Sequence, residues 1–159
     1  VSSNIKKEKM REILLIILSA FFLNAIGQSG INIRDNSGKI IEERKVDTSN
    51  ACNKENVYVF LPEMATYKEG LDHLASLLNS QLEISKKEKI NFLVVFLVNC
   101  EGRASGFISS YSGTNEIVNQ TMKLLNENQN WNPGILSSQP VDSYKSIYIE
   151  IKRGKLKIT

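Results

Sequence analysis

The chain has 159 residues, 42% of them hydrophobic and 23% charged, which suits one globular domain with a modest core and short appendages. Most of its formal charge of +3 comes from residues 1–27, where Lys6, Lys7, Lys9 and Arg11 outweigh Glu8 and Glu12 by +2, so residues 28–159 are nearly neutral at +1. No basic stripe with interleaved aromatics appears along the sequence, and a nucleic-acid partner is therefore not expected.

Val1 to Met10 is polar and basic, and Ile13 to Ile26 is apolar apart from Ser19 and Asn24. This is a signal-peptide pattern, with the small residues Ala25 and Gly27 placed for cleavage before Gln28. The alternative is an uncleaved inner-membrane anchor through residues 13–27, although the apolar run falls short of the roughly 20 residues a spanning helix needs. Met10 reads as the natural start. Export would deliver the rest of the chain to the periplasm or cell envelope.

Residues 28–61 read as an N-terminal extension. Ile31, Ile33, Ile40 and Ile41 flank the turn cluster Asp35-Asn36-Ser37-Gly38, which predicts a small hairpin over 31–46. A polar loop over 47–56 holds Cys52, and Val57 to Leu61 predicts a short strand stopped by Pro62.

From Thr66 to Leu82 the apolar residues recur at spacings of three and four, which predicts a helix with Thr66 and Glu69 as a capping box. Residues 90–98 form the most apolar run after the leader. Phe92, Val94, Phe96 and Val98 alternate with Leu93, Val95 and Leu97, so a strand here puts large apolar groups on both faces and must be central. The polar turn Asn99-Cys100-Glu101-Gly102 leads into a second strand over 103–109, making a hairpin. A second amphipathic helix is predicted from Thr114 to Asn128, with Ile117, Val118, Thr121, Met122 and Leu125 as its apolar stripe. Trp131-Asn132-Pro133-Gly134 stops it and offers an indole to cover the end of the core. Ser146 to Lys152 alternates cleanly as a last strand with one wet face.

The expected fold is α+β: a three-stranded mixed sheet with two helices packed on one face, in the order helix, strand, strand, helix, strand. A right-handed crossover would make the second and third strands parallel, with the apolar run between them. One face of such a sheet lacks cover, and the expected cover is either residues 31–61 or a second copy of the chain.

Pro62 before a helix with Gly70 near its start, the strand FLVVFLVN running into Glu101-Gly102-Arg103, and the helix ending in Trp131-Asn132-Pro133-Gly134 before a last strand together form a pattern. The segment from Pro62 to Ile151 resembles the C-terminal domain of TonB, the periplasmic protein that carries energy from the inner membrane to outer-membrane receptors. The resemblance implies a TonB C-terminal-like domain over 62–159 that is a binding module, not an enzyme. It also implies that the last strand pairs with a segment of an outer-membrane TonB-dependent receptor in transport across the envelope. With only 3 prolines and a cleavable-looking leader, the chain resembles the terminal domain alone.

The predicted partner site is the edge strand Ser146, Ile147, Tyr148, Ile149, Glu150 and Ile151, whose outward backbone groups would pair with an extended peptide while Tyr148 and Glu150 select its sequence. The alternative is an edge guarded against pairing by Lys145, Glu150 and Lys152. A structural envelope subunit that self-associates through its sheet as a homodimer is the second functional reading. His73 beside Asp72 lacks any paired nucleophile, and no cofactor motif is present. One histidine and two cysteines 48 positions apart make no metal cluster. Cys52 and Cys100 are instead candidates for one disulfide in an exported chain, the alternative being free thiols with Cys100 packed as a small hydrophobe.

Overall fold

The computed structural model describes residues 30–34 and 40–159. The leader and the turn cluster at 35–38 lie outside the described residues. In chain order the elements are β1 (Gly30–Arg34), β2 (Ile40–Lys45), β3 (Thr66–Tyr67), α1 (Leu71–Gln81), β4 (Lys89–Val98), β5 (Ala104–Ser109), α2 (Glu116–Glu127), β6 (Trp131–Asn132), β7 (Gly134–Leu136), β8 (Gln139–Val141), β9 (Ser143–Lys152) and β10 (Lys155–Ile158).

The expected fold class is corrected. Among the described residues there are two helices and ten strands in four sheets, not one three-stranded sheet. The main sheet has four strands in the order β10-β9-β4-β5, with every neighbouring pair antiparallel. Three two-stranded ribbons, β1-β2, β3-β6 and β7-β8, surround it. The TonB C-terminal-like architecture implied by the motifs is overturned by this multi-sheet topology. The reason is local: segments that read as turns or helix termini, such as 66–67, 131–132 and 134–141, instead pair with one another.

β4 lies inside the sheet between β5 and β9, where its two-sided apolar pattern directs it. Its even-numbered residues Phe92, Val94, Phe96 and Val98 pack with Ile147, Ile149 and Ile151 of β9 against α1 and α2. Leu74, Ala75, Leu78 and Leu82 come from α1 or its end; Ile117, Val118 and Leu125 come from α2. Each large side chain buried in this way contributes about 1.5–3 kcal/mol of apolar transfer. Trp131 is 2% exposed and meets Phe96 and Tyr67 edge to face at 4.9 and 5.2 Å between ring centroids. The indole is thus a central part of the core, deeper than a cover over its end.

The helix boundaries also shift. α1 begins at Leu71 behind Gly70, whose φ of 84° breaks the helical path, and no side chain caps it. The expected capping box does not form, because Thr66 and Tyr67 pair as β3 with Asn132 and Trp131, and Glu69 accepts from Asn130 at 2.7 Å. α2 is capped by Asn115, whose side chain accepts from the N–H groups of Ile117 and Val118. The strand expected over 57–61 reduces to a single parallel bridge between Tyr58 and Ser143.

Two glycines shape the β4-β5 hairpin. Gly102 has φ 78°, and a Cβ there would lie 2.4 Å from the Trp131 carbonyl oxygen. Gly106 has φ 65° and sits where the β4-β5 register shifts, so one extra residue opposes Phe96 in a glycine bulge. A Cβ on Gly106 would lie 2.4 Å from the Asp47 carbonyl oxygen, which shows how closely the N-terminal extension presses on β5. Among the described residues, no helix is long and apolar enough to cross a membrane.

Candidate binding groove

The last strand is not an open edge. β9 pairs along its whole length with β4 and from Ile149 to Lys152 with β10. Tyr148 also exchanges two backbone hydrogen bonds with Thr159, at 2.8 and 2.9 Å. The premise that Ser146, Ile147, Tyr148, Ile149, Glu150 and Ile151 present a free edge is therefore corrected. Ile147, Ile149 and Ile151 point into the core, and the backbone of Tyr148 and Glu150 already faces a strand. The physical reason is the tail, which turns back at Arg153-Gly154 and pairs with the strand before it.

What remains of that edge is short and lies in a groove. The Tyr144 N–H donates to the Tyr58 carbonyl at 2.8 Å, and Tyr148 pairs with Thr159. Ser146, halfway between them, faces the same side, since backbone groups alternate along a strand. Ser146 lies in the lining of a groove of about 570 Å³. Leu93 and Val95 of β4 form its floor on the face away from the helices, both half-buried, while β1 contributes one wall and Val59, Phe60 and Met64 the other. A groove of this size, mainly apolar with a few polar groups, has the dimensions of a ligand site.

Both walls are held in place. On the β1-β2 side, Arg44 donates from Nη1 to the carbonyls of Ser109 at 2.8 Å and Tyr111 at 2.9 Å. Its Nε and Nη2 hold Glu42 in a two-pronged ion pair at 2.6 and 2.9 Å. Hydrogen bonding from Arg44 lowers the Glu42 pKa from the usual carboxylate value. On the other side, the Tyr58 N–H donates to the Asp142 carbonyl and the Ile135 N–H to the Glu63 carbonyl. Phe60 stands on this pinned loop 72% exposed.

A covalent and polar node secures the extension to the sheet. Cys52 and Cys100 are joined by a disulfide across 48 positions. Beside it Asp142, 2% exposed, accepts backbone N–H bonds from Cys52 at 3.0 Å, Asn53 at 2.6 Å and Cys100 at 2.9 Å. Hydrogen bonds to a charged group are worth about 1.5–3 kcal/mol each, and a buried carboxylate requires them. The ligand atoms of Cys52, Cys100 and Asp142 lie within 4.8 Å of one another, but the sulfurs are bonded to each other and the carboxylate is occupied by N–H donors. The cluster is a staple. A metal would need thiolates here.

His73 and Asp72 are exposed on α1, away from the groove. Lys145, half-buried at the groove margin, has its pKa lowered by desolvation. Sequence reasoning expected one face of β4 to need cover, without deciding between Phe92, Val94 and Phe96 on one side and Leu93, Val95 and Leu97 on the other, and missed Phe60, which reads as an ordinary strand residue. The available signal was Pro62 two residues later, which makes a long buried strand there improbable. No protein-family model, curated protein or solved structure matches the chain.

Proposed function

We propose that the chain is an exported binding module of the cell envelope, which holds an extended, partly apolar segment of a partner protein in the groove beside β9. The observation that carries this reading is the conjunction at one place of an apolar floor, Leu93 and Val95, an exposed aromatic, Phe60, and the outward-facing backbone of Ser146. An extended peptide satisfies all three. Its backbone meets Ser146, and alternate side chains descend onto the floor or stack under Phe60. Export is supported by the leader pattern and by the disulfide, since such bonds persist in oxidising compartments.

The test is selection of a displayed random-peptide library on the wild-type protein, followed by titration of the synthesised winners. Alternating apolar residues are expected in the selected sequences. Val95→Arg should weaken them by at least about tenfold, because it places a charge on the apolar floor. Equal binding to Val95→Arg, or a selection that yields no sequence, would remove the groove as the site. A wild-type dimer that Val95→Arg splits into monomers would assign the groove to a second copy and sink the peptide reading.

A further inference from the structure

The outer face of the sheet changes character at its far end. Register places Lys89 of β4 opposite Lys152 of β9, and Lys152 opposite Lys155 of β10. Three lysines therefore stand side by side across three strands, with neighbouring Cβ atoms about 4.5–5.5 Å apart. In the next row Asn91, Glu150 and Lys157 are aligned, and Arg153 occupies the turn. All of these side chains are exposed. Glu150, Lys152, Arg153, Lys155 and Lys157 also line a shallow depression of about 280 Å³. The turn after α1 brings Lys86 alongside, its Cγ 3.5 Å from where a Cβ on Gly154 would lie, and carries Lys87, Glu83 and Glu88 at its margin.

Like charges set directly opposite one another in a sheet are destabilising. Acidic side chains do not relieve them: among the described residues Lys89, Lys152, Arg153, Lys155 and Lys157 form no ion pair, while Glu42, Glu43, Glu101 and Glu127 each hold a cation elsewhere. The segregation is marked. Five cations against Glu150 give the patch +4, so the rest of residues 28–159, whose total is +1, carries −3.

We propose that this cationic sheet face docks on an anionic lipid surface, its lysines meeting headgroup phosphates. Charge complementarity selects an anion, and the shape selects a surface. The row lies on one face of a sheet, and the exposed aromatic on that face, Tyr148, stands two rows away with its hydroxyl accepting from Asn91; a single tethered ring is not the run of platforms that stacks successive bases. Clustered lysines near an anionic bilayer each add attraction that is additive and screened by salt. The site is separate from the groove and does not rest on the peptide reading; only the choice of lipid over nucleic acid leans on export as well as on shape.

The exported protein, as isolated, is sedimented with phosphatidylcholine vesicles with or without phosphatidylglycerol as half the lipid. Binding should be stronger to the anionic vesicles and fall as salt rises. The combined substitution Lys89→Gln, Lys152→Gln and Lys155→Gln should lower affinity for them about 100-fold. It should leave the melting temperature unchanged or raised, and Lys123→Gln on α2 should bind like wild type. Equal partition into both vesicles overturns the proposal, as does wild-type binding by the triple variant. Tighter binding to a short single-stranded DNA than to the anionic vesicles at the same salt also overturns it. Val95→Arg, which disables the groove, should leave vesicle binding intact.

Discussion

The two faces of the four-stranded sheet are built from the same strands, residue by alternate residue, yet they carry different kinds of surface. The helix face is sealed through its middle: Phe92, Val94 and Phe96 interlock with Ile147, Ile149 and Ile151, and none of these six is more than 2% exposed. The outer face is divided along its length. Near β5 it is apolar and partly roofed by the N-terminal extension, with Leu97 fully buried and Leu93 and Val95 half-buried. Toward the β9-β10 turn it is bare and cationic. The difference separates two roles that period-two alternation makes possible: one face stabilises the fold, and the other is left for contact.

The largest expected effect tests that separation directly. Phe96→Ala, which empties the site between Phe107 and Trp131, should cost about 3–5 kcal/mol, whereas Val95→Ala, one residue away on the half-open face, should cost roughly 1 kcal/mol. Urea denaturation measures both. Equal losses would show that the outer face is as much a part of the core as the inner one.

Next comes the staple that roofs the outer face. Replacing both Cys52 and Cys100 by Ser opens a loop of 48 positions, worth about 4 kcal/mol in the chain-entropy model and about 2–4 in typical proteins. Since the loop ties the extension to the end of β4, hydrogen exchange in the variant should rise first in residues 40–60 and only later in β4 and β9. Uniform loss of protection would mean that the extension and the sheet form one cooperative unit.

A smaller effect comes from the two tight hairpin turns. β9 and β10 are joined through Arg153 and Gly154, with φ of 55° and 76°, whereas β7 and β8 are joined through Ser137 and Ser138, with φ of 51° and 64°. Both turns need two residues in the left-handed region, and only the first has a glycine. Ser138→Gly should therefore stabilise the protein by about 1 kcal/mol, seen as a raised denaturation midpoint. A lower midpoint would show that the serine hydroxyl, not the backbone, matters there.

The smallest effect concerns Lys145 at the groove margin. Burial lowers its folded pKa below the usual 10.5, so between the folded and unfolded values the unfolded chain binds more protons. Stability should rise with pH through that window, and below the folded value the penalty is fully present. Lys145→Met removes the penalty and should stabilise at neutral pH by no more than about 0.5 kcal/mol while flattening the alkaline pH profile. Thermal melts at neutral and alkaline pH compare the two proteins; an unchanged slope would place the ammonium in water.

Local pattern was enough to read much of this molecule. The alternation of residues 92–98 places β4 inside a sheet, the stripe from Ile117 to Leu125 makes α2, and the isoleucines at 147, 149 and 151 turn β9 toward the core, because each depends only on the period of apolar side chains. The β9-β10 hairpin was also legible, since Arg153-Gly154 sits between two alternating runs, IEIK and KLKI. Without that reading, β9 passes for an edge and the binding site is placed on a strand that is already paired.

Other features exist only once the chain is folded. Thr66-Tyr67 and Trp131-Asn132 become strands through pairing with each other, which two-residue segments cannot advertise by periodicity. Asp142 acquires its role from three N–H groups at 52, 53 and 100, brought together by tertiary contact. The cationic row is the plainest case. Lys89 and Lys152 lie 63 positions apart and appear in the sequence as isolated charges in a nearly neutral chain, and register alone sets them beside Lys155. Periodicity is a property of neighbours along the chain, and it specifies which way each side chain points; strand register decides which distant side chains it meets.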